Sequence, residues 1–333
     1  MKGRILVIRG GAIGDFILTL PAIAALRRQF PEAHLEVLGY PHIIELAIAG
    51  GLVDRAQSIE ARALAGFFAR NGDLTEDLAD YFSEFDLIIS YLYDPDGIFR
   101  TNVARCAPAQ FIQGPHRPDE KAGLHAAKVF LKPLERLAIF DADPVPRLCL
   151  SERAGDNGDL SSSFSSSSSK VFDPTVTEDR RDAWPGLALH PGSGSESKNW
   201  PEGKWSMLLE RLMEQTAFNL LLVGGEAEGG RLERLAAGVD SARLILARSL
   251  PLPELARRLE TATVFIGHDS GISHLAAALG LPAVVLWGES NEAVWRPQSQ
   301  KVLVLRHRDG LAALGVEQVF GALIGRWEME NRS

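Results

Sequence analysis

Short runs of apolar residues alternate along the chain with segments whose apolar residues recur every three or four positions. An unbroken apolar run predicts a buried strand, whereas recurrence at helical spacing predicts a helix with one apolar face. Strands are predicted at 4–8, 34–38, 85–90, 110–113, 187–190, 219–223 and 264–266, and a further strand is predicted at the end of the stretch 263–286. Strands that alternate with helices are typical of α/β proteins, in which helices cover both faces of a parallel sheet. The sequence therefore predicts a doubly wound α/β fold.

The alternation stops in the middle of the chain. Eight of the nine residues from 161 to 169 are serine, and glycine, aspartate, asparagine and proline surround them. Such a composition cannot supply a hydrophobic core, so it predicts a flexible linker. We therefore expect an N-terminal domain at 1–160, a linker at 161–185 and a C-terminal domain at 186–315.

The composition excludes several classes of protein. The 333 residues carry a net charge of −8, which argues against nucleic acid as a general partner. Every long apolar stretch is interrupted before the ~20 residues that a membrane-spanning helix needs. The two cysteines provide neither a disulfide framework nor a metal-binding spacing, so we expect a protein of the reducing cytoplasm.

One basic segment interrupts this acidic composition. Between residues 97 and 136, seven lysines and arginines outnumber three acidic residues. This excess favours contact with an anionic acceptor or, peripherally, with the inner membrane surface. The alternative for any single residue is an ordinary solvated helix face. Arg100, Arg117 and Lys121 are the candidate acceptor-binding residues of this segment.

The central candidate site follows the strand at 264–266. Residues 267–271 predict a polar turn, and the apolar positions after them predict a helix. Asp269 or Ser270 can cap this helix, and the free N–H groups from Gly271 onward favour an anion such as phosphate. His274 lies one turn further on the same helix face as Ser270. The alternative is a simple helix cap beside a core histidine.

A glycine-rich turn also follows the first strand, at residues 9–15. Arg9 occupies the place of the first glycine of the dinucleotide fingerprint, so NAD binding is not expected. The turn instead lets the backbone approach a ligand at Gly14, with Asp15 at the start of a helix. A later Asp-Pro-Asp-Gly sequence at 94–97 resembles a metal-binding pattern of another fold, but it fits an ordinary turn. No metal site is predicted.

The second half of the chain repeats this organisation. Small residues at 191–197, including Gly192 and Ser193, predict a loop that brings backbone amides to a phosphate, and Lys198 adds a positive charge. After the strand at 219–223, Glu226 and Glu228 are candidates to accept hydrogen bonds from ribose hydroxyls. The alternative is that they stabilise the start of a helix.

Three sequence blocks resemble the signatures of glycosyltransferase family 9, the ADP-heptose:lipopolysaccharide heptosyltransferases. They are residues 14–21, residues 191–194 together with 198–201, and Asp269-Ser270-Gly271 with His274. Each block is short, but together they occur in the family's order and span the chain to about residue 290. The specificity of the match comes from this combined order and spacing.

This resemblance implies a GT-B architecture, in which two Rossmann-like domains face each other across a cleft. It implies an inverting, metal-independent transfer with Asp15 as general base and no resident cofactor, because the ADP-linked sugar is a substrate. It assigns the donor to the C-terminal domain, and the acceptor, a lipid-linked or other glycan, to the N-terminal one. The implied donor-binding residues are Gly192, Ser193, Lys198, Glu226, Glu228, Asp269, Ser270, Gly271 and His274. The last helix, at 316–329, is expected to pack back onto the N-terminal domain.

The chain departs from the family pattern at 287–291, where Trp-Gly-Glu-Ser-Asn replaces the usual Gly-Pro-Thr-Asp. This difference leaves the sugar and the base of the donor open. Two other functions are compatible with facing Rossmann-like domains: a nucleotide-sugar epimerase, and a non-catalytic nucleotide-sugar-binding protein.

Overall fold

A computed structural model describes residues 3–150, 186–225 and 228–331. The predicted linker at 161–185 and Glu226 lie outside these residues. The remaining chain forms two parallel sheets with helices on their faces. We call residues 3–150 the first lobe and residues 186–331 the second lobe.

The sheet of the first lobe has five parallel strands in the order β3-β2-β1-β4-β5. They are β1 (Arg4–Arg9), β2 (His34–Gly39), β3 (Arg55–Ser58), β4 (Leu87–Ser90) and β5 (Gln110–Gln113). The helices around it are α1 (Ile13–Ile17), α2 (Leu20–Gln29), α3 (Pro41–Ala49), α4 (Glu76–Ser83), α5 (Ile98–Ala104) and α6 (Ala126–Leu131). The central strand β1 is buried except at its first residue, which explains its unbroken apolar sequence.

The sheet of the second lobe has six parallel strands in the order β11-β10-β9-β6-β7-β8. They are β6 (Gly186–Leu189), β7 (Asn219–Gly224), β8 (Leu244–Arg248), β9 (Ala262–His268), β10 (Ala283–Leu286) and β11 (Val302–Leu305). The helices are α7 (Glu202–Gln215), α8 (Arg231–Ala236), α9 (Leu252–Glu260), α10 (Gly271–Ala278), α11 (Glu292–Trp295) and α12 (Val316–Asn331). The predicted α/β fold of two doubly wound sheets is confirmed.

The strand orders decide where ligands can bind. In the first sheet the connections leave β1 in one direction and β4 in the other, and in the second sheet β6 and β9 have the same relationship. At such a switch point, the loops after the two strands diverge and leave a crevice at their carboxyl ends. The loops after β1, β6 and β9 are those that the sequence singled out.

The two lobes contact each other directly at this edge. Helix α1 packs against the start of α10, and α3 packs against α9. A Cβ on Gly271 would lie only 2.7 Å from Cβ of Ile13 and 3.0 Å from N of Gly14. Glycine at position 271 therefore permits the close approach of α1 and α10.

The structure corrects three details of the sequence-based prediction. The helix predicted to start at Asp15 is two helices, and Pro21 lies in the first turn of the second one, where a missing N–H costs nothing. The polar turn predicted from residue 267 begins later, because β9 extends through His268. The strands β3, β8 and β11 were not predicted, and all three are edge strands whose residues are mostly half-buried.

The last helix, α12, also differs from the expectation. Its buried residues Val319 and Leu323 belong to the core of the second lobe, and it packs against α7, β9 and β10. The expectation that its packing face lies on the first lobe is therefore wrong, because that apolar face is taken up by the second sheet. Within the described residues, no helix is both long and apolar enough to cross a membrane.

Candidate active site

Asp15 lies in the first turn of α1, at the edge of the cleft between the lobes. Its Oδ2 accepts a hydrogen bond from N of Ala12 at 3.1 Å, which fixes the carboxylate over the helix start. Gly11 has φ of 100°, and a Cβ there would come within 2.9 Å of the same oxygen. The glycine turn after β1 therefore makes room for this carboxylate.

Arg9, the last residue of β1, holds Asp15 from the interior of the first lobe. Its Nη2 lies 3.4 Å from Oδ1 of Asp15, and its side chain is 2% exposed. Arg9 also donates to the carbonyl oxygen of His116 at 3.0 Å and lies 4.4 Å above the ring of Phe130. Burial lowers the pKa of Arg9, and the charge of Asp15 opposes that shift.

In the sequence, Arg9 argued only against NAD binding, and its contact with Asp15 was not predicted. The available signal was a single arginine at the end of a buried apolar strand. Charged residues are rarely buried without a partner, so this pattern predicts a carboxylate nearby.

The loop that carries Lys198 is fixed at both ends by one buried histidine. N of Trp200 donates to Nε2 of His268 at 2.8 Å, so Nδ1 carries the proton and donates to the carbonyl oxygen of Gly192 at 3.2 Å. Burial lowers the pKa of His268 to about 3, so the imidazole is neutral at pH 7. His268 therefore holds residues 192–200 against the end of β9.

Lys198 lies across the cleft from α1 and forms an ion pair with Asp269. The distance from its Nζ to Oδ2 of Asp269 is 2.6 Å, and the side chain of Asp269 is only 10% exposed. The pairing holds the ammonium group beside the start of α10. A charge fixed in this way needs little reorganisation to meet an anion.

The start of α10 provides the amide groups that the sequence predicted. Ser270 is its N-cap, and the Ser270 hydroxyl accepts from N of Ser273. His274 follows one turn later, and a Cβ on Gly14 would lie 3.3 Å from its ring. Burial lowers the pKa of His274 to about 4 against the opposing charge of Asp269. The ring is thus neutral at pH 7, where it can exchange hydrogen bonds but carries no charge.

Glu228 and His190 form a second polar pair, beyond the start of α10. Nε2 of His190 lies 3.5 Å from Oε1 of Glu228, and both side chains are 5% exposed. N of Gly225 donates to the other carboxylate oxygen of Glu228. Burial alone would raise the pKa of Glu228, but the hydrogen bonds from His190 and Gly225 outweigh it and lower that pKa. A Cβ on Gly192 would collide with this carboxylate, so the loop can pass Glu228 only with glycine at that position.

Two cavities meet where α1 and α10 touch. The smaller, of about 580 Å³, includes Asp15, Arg117, Lys198, Asp269 and His274 in its lining. The larger, of about 1100 Å³, has a lining that is mostly apolar but includes His190 and Glu228. Both cavities are lined by Ala12, Gly14, Gly194, Ser270 and Gly271. One continuous cleft therefore passes from a polar chamber to an apolar one across the N-terminus of α10.

The structure brings together most of the residues that the sequence singled out. Those in the linings of the two cavities are Gly14, Asp15, Arg117, Ser193, Lys198, Glu228, Asp269, Ser270, Gly271 and His274. Gly192 does not line either cavity but packs behind them on Glu228. Arg100 and Lys121 are exposed and absent from both linings, so the structure gives them no place in the cleft. Their expected role in acceptor binding stays a prediction, and the structure shows them only as exposed basic residues outside the two linings.

The Asp-Pro-Asp-Gly sequence forms the turn that the sequence favoured. Asp94 accepts hydrogen bonds from N of Phe99 at 3.1 Å and from N of Arg100 at 3.0 Å, so it caps α5. Among the described residues, no group of three or more histidines, cysteines or acidic residues is arranged to hold a metal ion.

Comparison with known proteins identifies the family. The sequence model of glycosyltransferase family 9 (heptosyltransferase) matches residues 159–321. Lipopolysaccharide heptosyltransferase 1 from Pseudomonas aeruginosa is 39% identical over 304 residues, which are 86% of this chain and 79% of that protein. This chain belongs to glycosyltransferase family 9. It is therefore an enzyme that transfers glycosyl groups.

Solved structures give the fold of this family 9 glycosyltransferase. Escherichia coli ADP-heptose lps heptosyltransferase II has a TM-score of 0.75 at 17% identity and is covered completely by 99% of this chain. Escherichia coli heptosyltransferase WaaC with ADP has a TM-score of 0.66, also at 17% identity, with the same coverage. These neighbours have the GT-B fold, so the two lobes of this family 9 enzyme and the cleft between them are a GT-B architecture.

Proposed function

We propose that the protein transfers heptose from ADP-heptose to a glycan acceptor of lipopolysaccharide core type, with inversion at the anomeric carbon and without a metal ion. The names of its relatives support the donor and the acceptor. The Pseudomonas aeruginosa relative, at 39% identity, is a lipopolysaccharide heptosyltransferase, and the name of the Escherichia coli neighbour specifies ADP-heptose.

One observation carries the mechanism: Asp15 of the first lobe and Lys198 of the second lobe line the same chamber. Inversion requires the acceptor oxygen to attack the anomeric carbon from the side opposite the leaving group. A base is then needed on one wall of the cleft and positive potential on the other. Asp15 is the base on the wall of the first lobe, and Lys198 with the amides of α10 gives the positive potential on the wall of the second lobe.

The proposed step forms one bond to the anomeric carbon and breaks another. The acceptor hydroxyl oxygen forms a bond to the anomeric carbon and gives its proton to the Asp15 carboxylate. The bond between the anomeric carbon and the diphosphate oxygen breaks, and its electron pair leaves with ADP. Lys198 and the N–H groups at the start of α10 stabilise the charge on that oxygen. They supply the electrostatic stabilisation for which other glycosyltransferases use a divalent cation.

The shape of the cleft supports one arrangement of the donor. The larger, more apolar chamber fits the nucleoside, and Glu228, whose pKa is lowered, is an anionic acceptor for ribose hydroxyls. The diphosphate then crosses the start of α10 at Ser270 and Gly271, which line both chambers. The sugar lies in the smaller chamber, beside Asp15.

Arg117 supports an anionic acceptor. It lines the smaller chamber from the first lobe, and its side chain is 64% exposed. The acceptor would enter along this basic side of the first lobe. We accordingly expect a cytoplasmic enzyme that works at the inner membrane surface on a lipid-linked glycan.

The experiment that tests the function combines the purified protein with ADP-heptose, with and without a lipid-linked core acceptor and with and without EDTA. The expected result is ADP release that depends on the acceptor, resists EDTA and yields the inverted linkage by NMR. Formation of an isomerised nucleotide-sugar without acceptor would support the epimerase instead. Donor binding with neither reaction would support a binding protein.

A further inference from the structure

The wall of the smaller chamber beside α11 is assembled from both lobes. Nε1 of Trp295 donates to Oε1 of Glu120 at 2.9 Å, and Nδ2 of Asn291 donates to the Glu120 carbonyl oxygen at 3.3 Å. The guanidinium carbon of Arg117 lies 5.4 Å from the centre of the Trp295 ring. Nearby, Nε2 of His125 donates to the carbonyl oxygen of Arg296 at 2.8 Å. All these contacts join residues 117–125 of the first lobe to residues 291–296 of the second.

These contacts leave polar groups available to a ligand. The side chain of Glu120 remains 48% exposed, and its contacts with Trp295 and Arg117 both use Oε1. Glu120, Trp295 and Asn291 line the smaller chamber, which they share with Asp15 and the other residues of the proposed reaction. A carboxylate, an amide and an indole thus face one polar space.

This combination suits a sugar. A pyranose ring presents hydroxyl groups that donate to carboxylates and exchange hydrogen bonds with amides, together with apolar C–H surfaces that pack on an indole ring. A site that is built to hydrogen-bond a particular hydroxyl group discriminates strongly against an analogue without it, because the polar groups of the site are then left unpaired.

We infer that Glu120, Asn291 and Trp295 bind the sugar of the donor and determine which sugar the enzyme transfers. The inference rests on the proposed function, which places the diphosphate at the start of α10 and the sugar in the smaller chamber. Asn291 and Trp295 follow β10, the neighbour of β9 in the second sheet. They therefore belong to the donor side of the cleft, and Glu120 reaches them from the opposite lobe.

The position also accounts for the departure from the family pattern at 287–291. Ser290 and Asn291 line the smaller chamber, whereas Trp287 is buried and its Nε1 donates to the carbonyl oxygen of Ser290 at 2.8 Å. Substitutions at 287–291 therefore alter the chamber assigned to the sugar. They do not alter the lining of the nucleoside chamber, which contains none of these residues.

The test measures the affinities of ADP and of ADP-heptose by calorimetry in Glu120→Gln and Trp295→Phe. Glu120→Gln keeps an oxygen for the indole but removes the charge, and Trp295→Phe keeps an aromatic ring but removes the donor. The ratio of ADP-heptose affinity to ADP affinity is expected to fall about tenfold in each variant, with ADP affinity unchanged. A donor with a hexose in place of the heptose should lose less, which would show altered discrimination between sugars.

Two matched substitutions control for the change of residue type. Trp327→Phe lies on α12, where the indole ring packs at a tilt against Phe218, and Glu135→Gln lies on the exposed surface of the first lobe. Neither position lines the cleft, so the ratio should stay at the wild-type value in both.

Equal losses of ADP and ADP-heptose affinity, or an unchanged ratio, would overturn the inference and leave these contacts as a link between the lobes. Failure of the proposed function gives a different result, because wild-type protein would then release no ADP in the presence of donor and acceptor. The binding ratio is measured without acceptor and reads the sugar contacts independently of turnover.

Discussion

Arg9 and Asp15 form an ion pair across the turn that follows β1, with 3.4 Å between Nη2 and Oδ1. The guanidinium is buried inside the first lobe, whereas the carboxylate is 25% exposed and lines the cleft. Because the buried Arg9 side chain is fixed in the core beside β1, its contact restricts the position of the proposed base. The N–H group of Ala12 also donates to Asp15, so Arg9 and Ala12 together restrict the orientation of the carboxylate.

Replacement of Arg9 by lysine should reduce turnover. Lysine keeps the charge but has no planar fork to reach Asp15 and the His116 carbonyl oxygen together. A misplaced catalytic group loses up to about 100-fold in rate, so we expect kcat to fall about 10- to 100-fold with ADP affinity unchanged. Steady-state kinetics and ADP calorimetry on Arg9→Lys check this.

Arg4→Lys is the matched control, because Arg4 begins the same strand and pairs with Glu84 at 2.8 Å, outside the cleft linings. Its kcat should equal that of the wild type. A normal kcat in Arg9→Lys as well would show that Asp15 does not depend on Arg9 for its position.

Replacement of Gly271 by alanine should disturb the contact between the lobes. The new Cβ would lie within 3.0 Å of Gly14 N and closer still to Ile13, so α1 and α10 must separate or shift. We expect kcat/KM for transfer to fall by about tenfold or more, because the proposed base on α1 and the amides on α10 lose their alignment. The measurement is acceptor-dependent ADP release.

Gly203→Ala provides the control for that substitution. Gly203 lies on the exposed side of α7, and a Cβ there would meet nothing within 4 Å. Alanine should preserve activity at this position and stabilise the helix by about 0.5–1 kcal/mol. Equal kinetics for the two glycine variants would contradict the role of the close approach.

The turn at residues 9–15 shows what the sequence could predict. Glycines after a buried strand indicate a turn that approaches a ligand, and Asp15 at the following helix start was correctly placed at the cleft. Glu120 was missed as a site residue because its partner Trp295 is distant in sequence. Arg9 was missed although an arginine at the end of a buried strand predicts a carboxylate nearby, and its other partners, His116 and Phe130, are distant in sequence. A local sequence pattern does not indicate which residues distant in sequence contact each other.

The last helix shows a different limit. A helix after residue 315 was expected from the family resemblance alone, and the apolar stripe of a helix does not state which surface covers it. Val319 and Leu323 pack into the second lobe, in contrast to the expectation drawn from the family. Similarly, no local pattern distinguishes Arg117, which lines the cleft, from Arg100 and Lys121, which do not. That difference is set by the position of α5 for Arg100 and by the chain path between β5 and α6 for Arg117 and Lys121.

The stability of the protein should fall in mildly acidic solution because burial lowers the pKa of three histidines, His125, His268 and His274. Burial lowers the pKa of His268 to about 3 and that of His274 to about 4, from an ordinary value of 6.5. Between the lowered pKa of each histidine and 6.5, the unfolded chain binds more protons than the folded chain. The contribution of each neutral histidine to the free energy of unfolding is therefore fully present above pH 6.5 and is lost as the pH falls towards the lowered pKa. Each histidine contributes a slope of about 1.4 kcal/mol per pH unit.

Denaturant unfolding at several pH values between 6.5 and about 4.5 measures this slope. Glu228, whose pKa is lowered from 4.5, loses its contribution only below that window. In His274→Gln the slope should decrease by about one proton relative to the wild type. An identical slope in the variant would show that His274 is not a buried neutral group.

The central claim is that Asp15 removes the proton from the acceptor while the second lobe holds the donor. The most direct measurement compares kcat and ADP-heptose affinity between the wild type and Asp15→Asn, which keeps the shape of the side chain and removes the base. The account predicts that kcat falls by about 10²- to 10⁴-fold and that donor affinity is unchanged. Turnover at the wild-type rate in Asp15→Asn would contradict it.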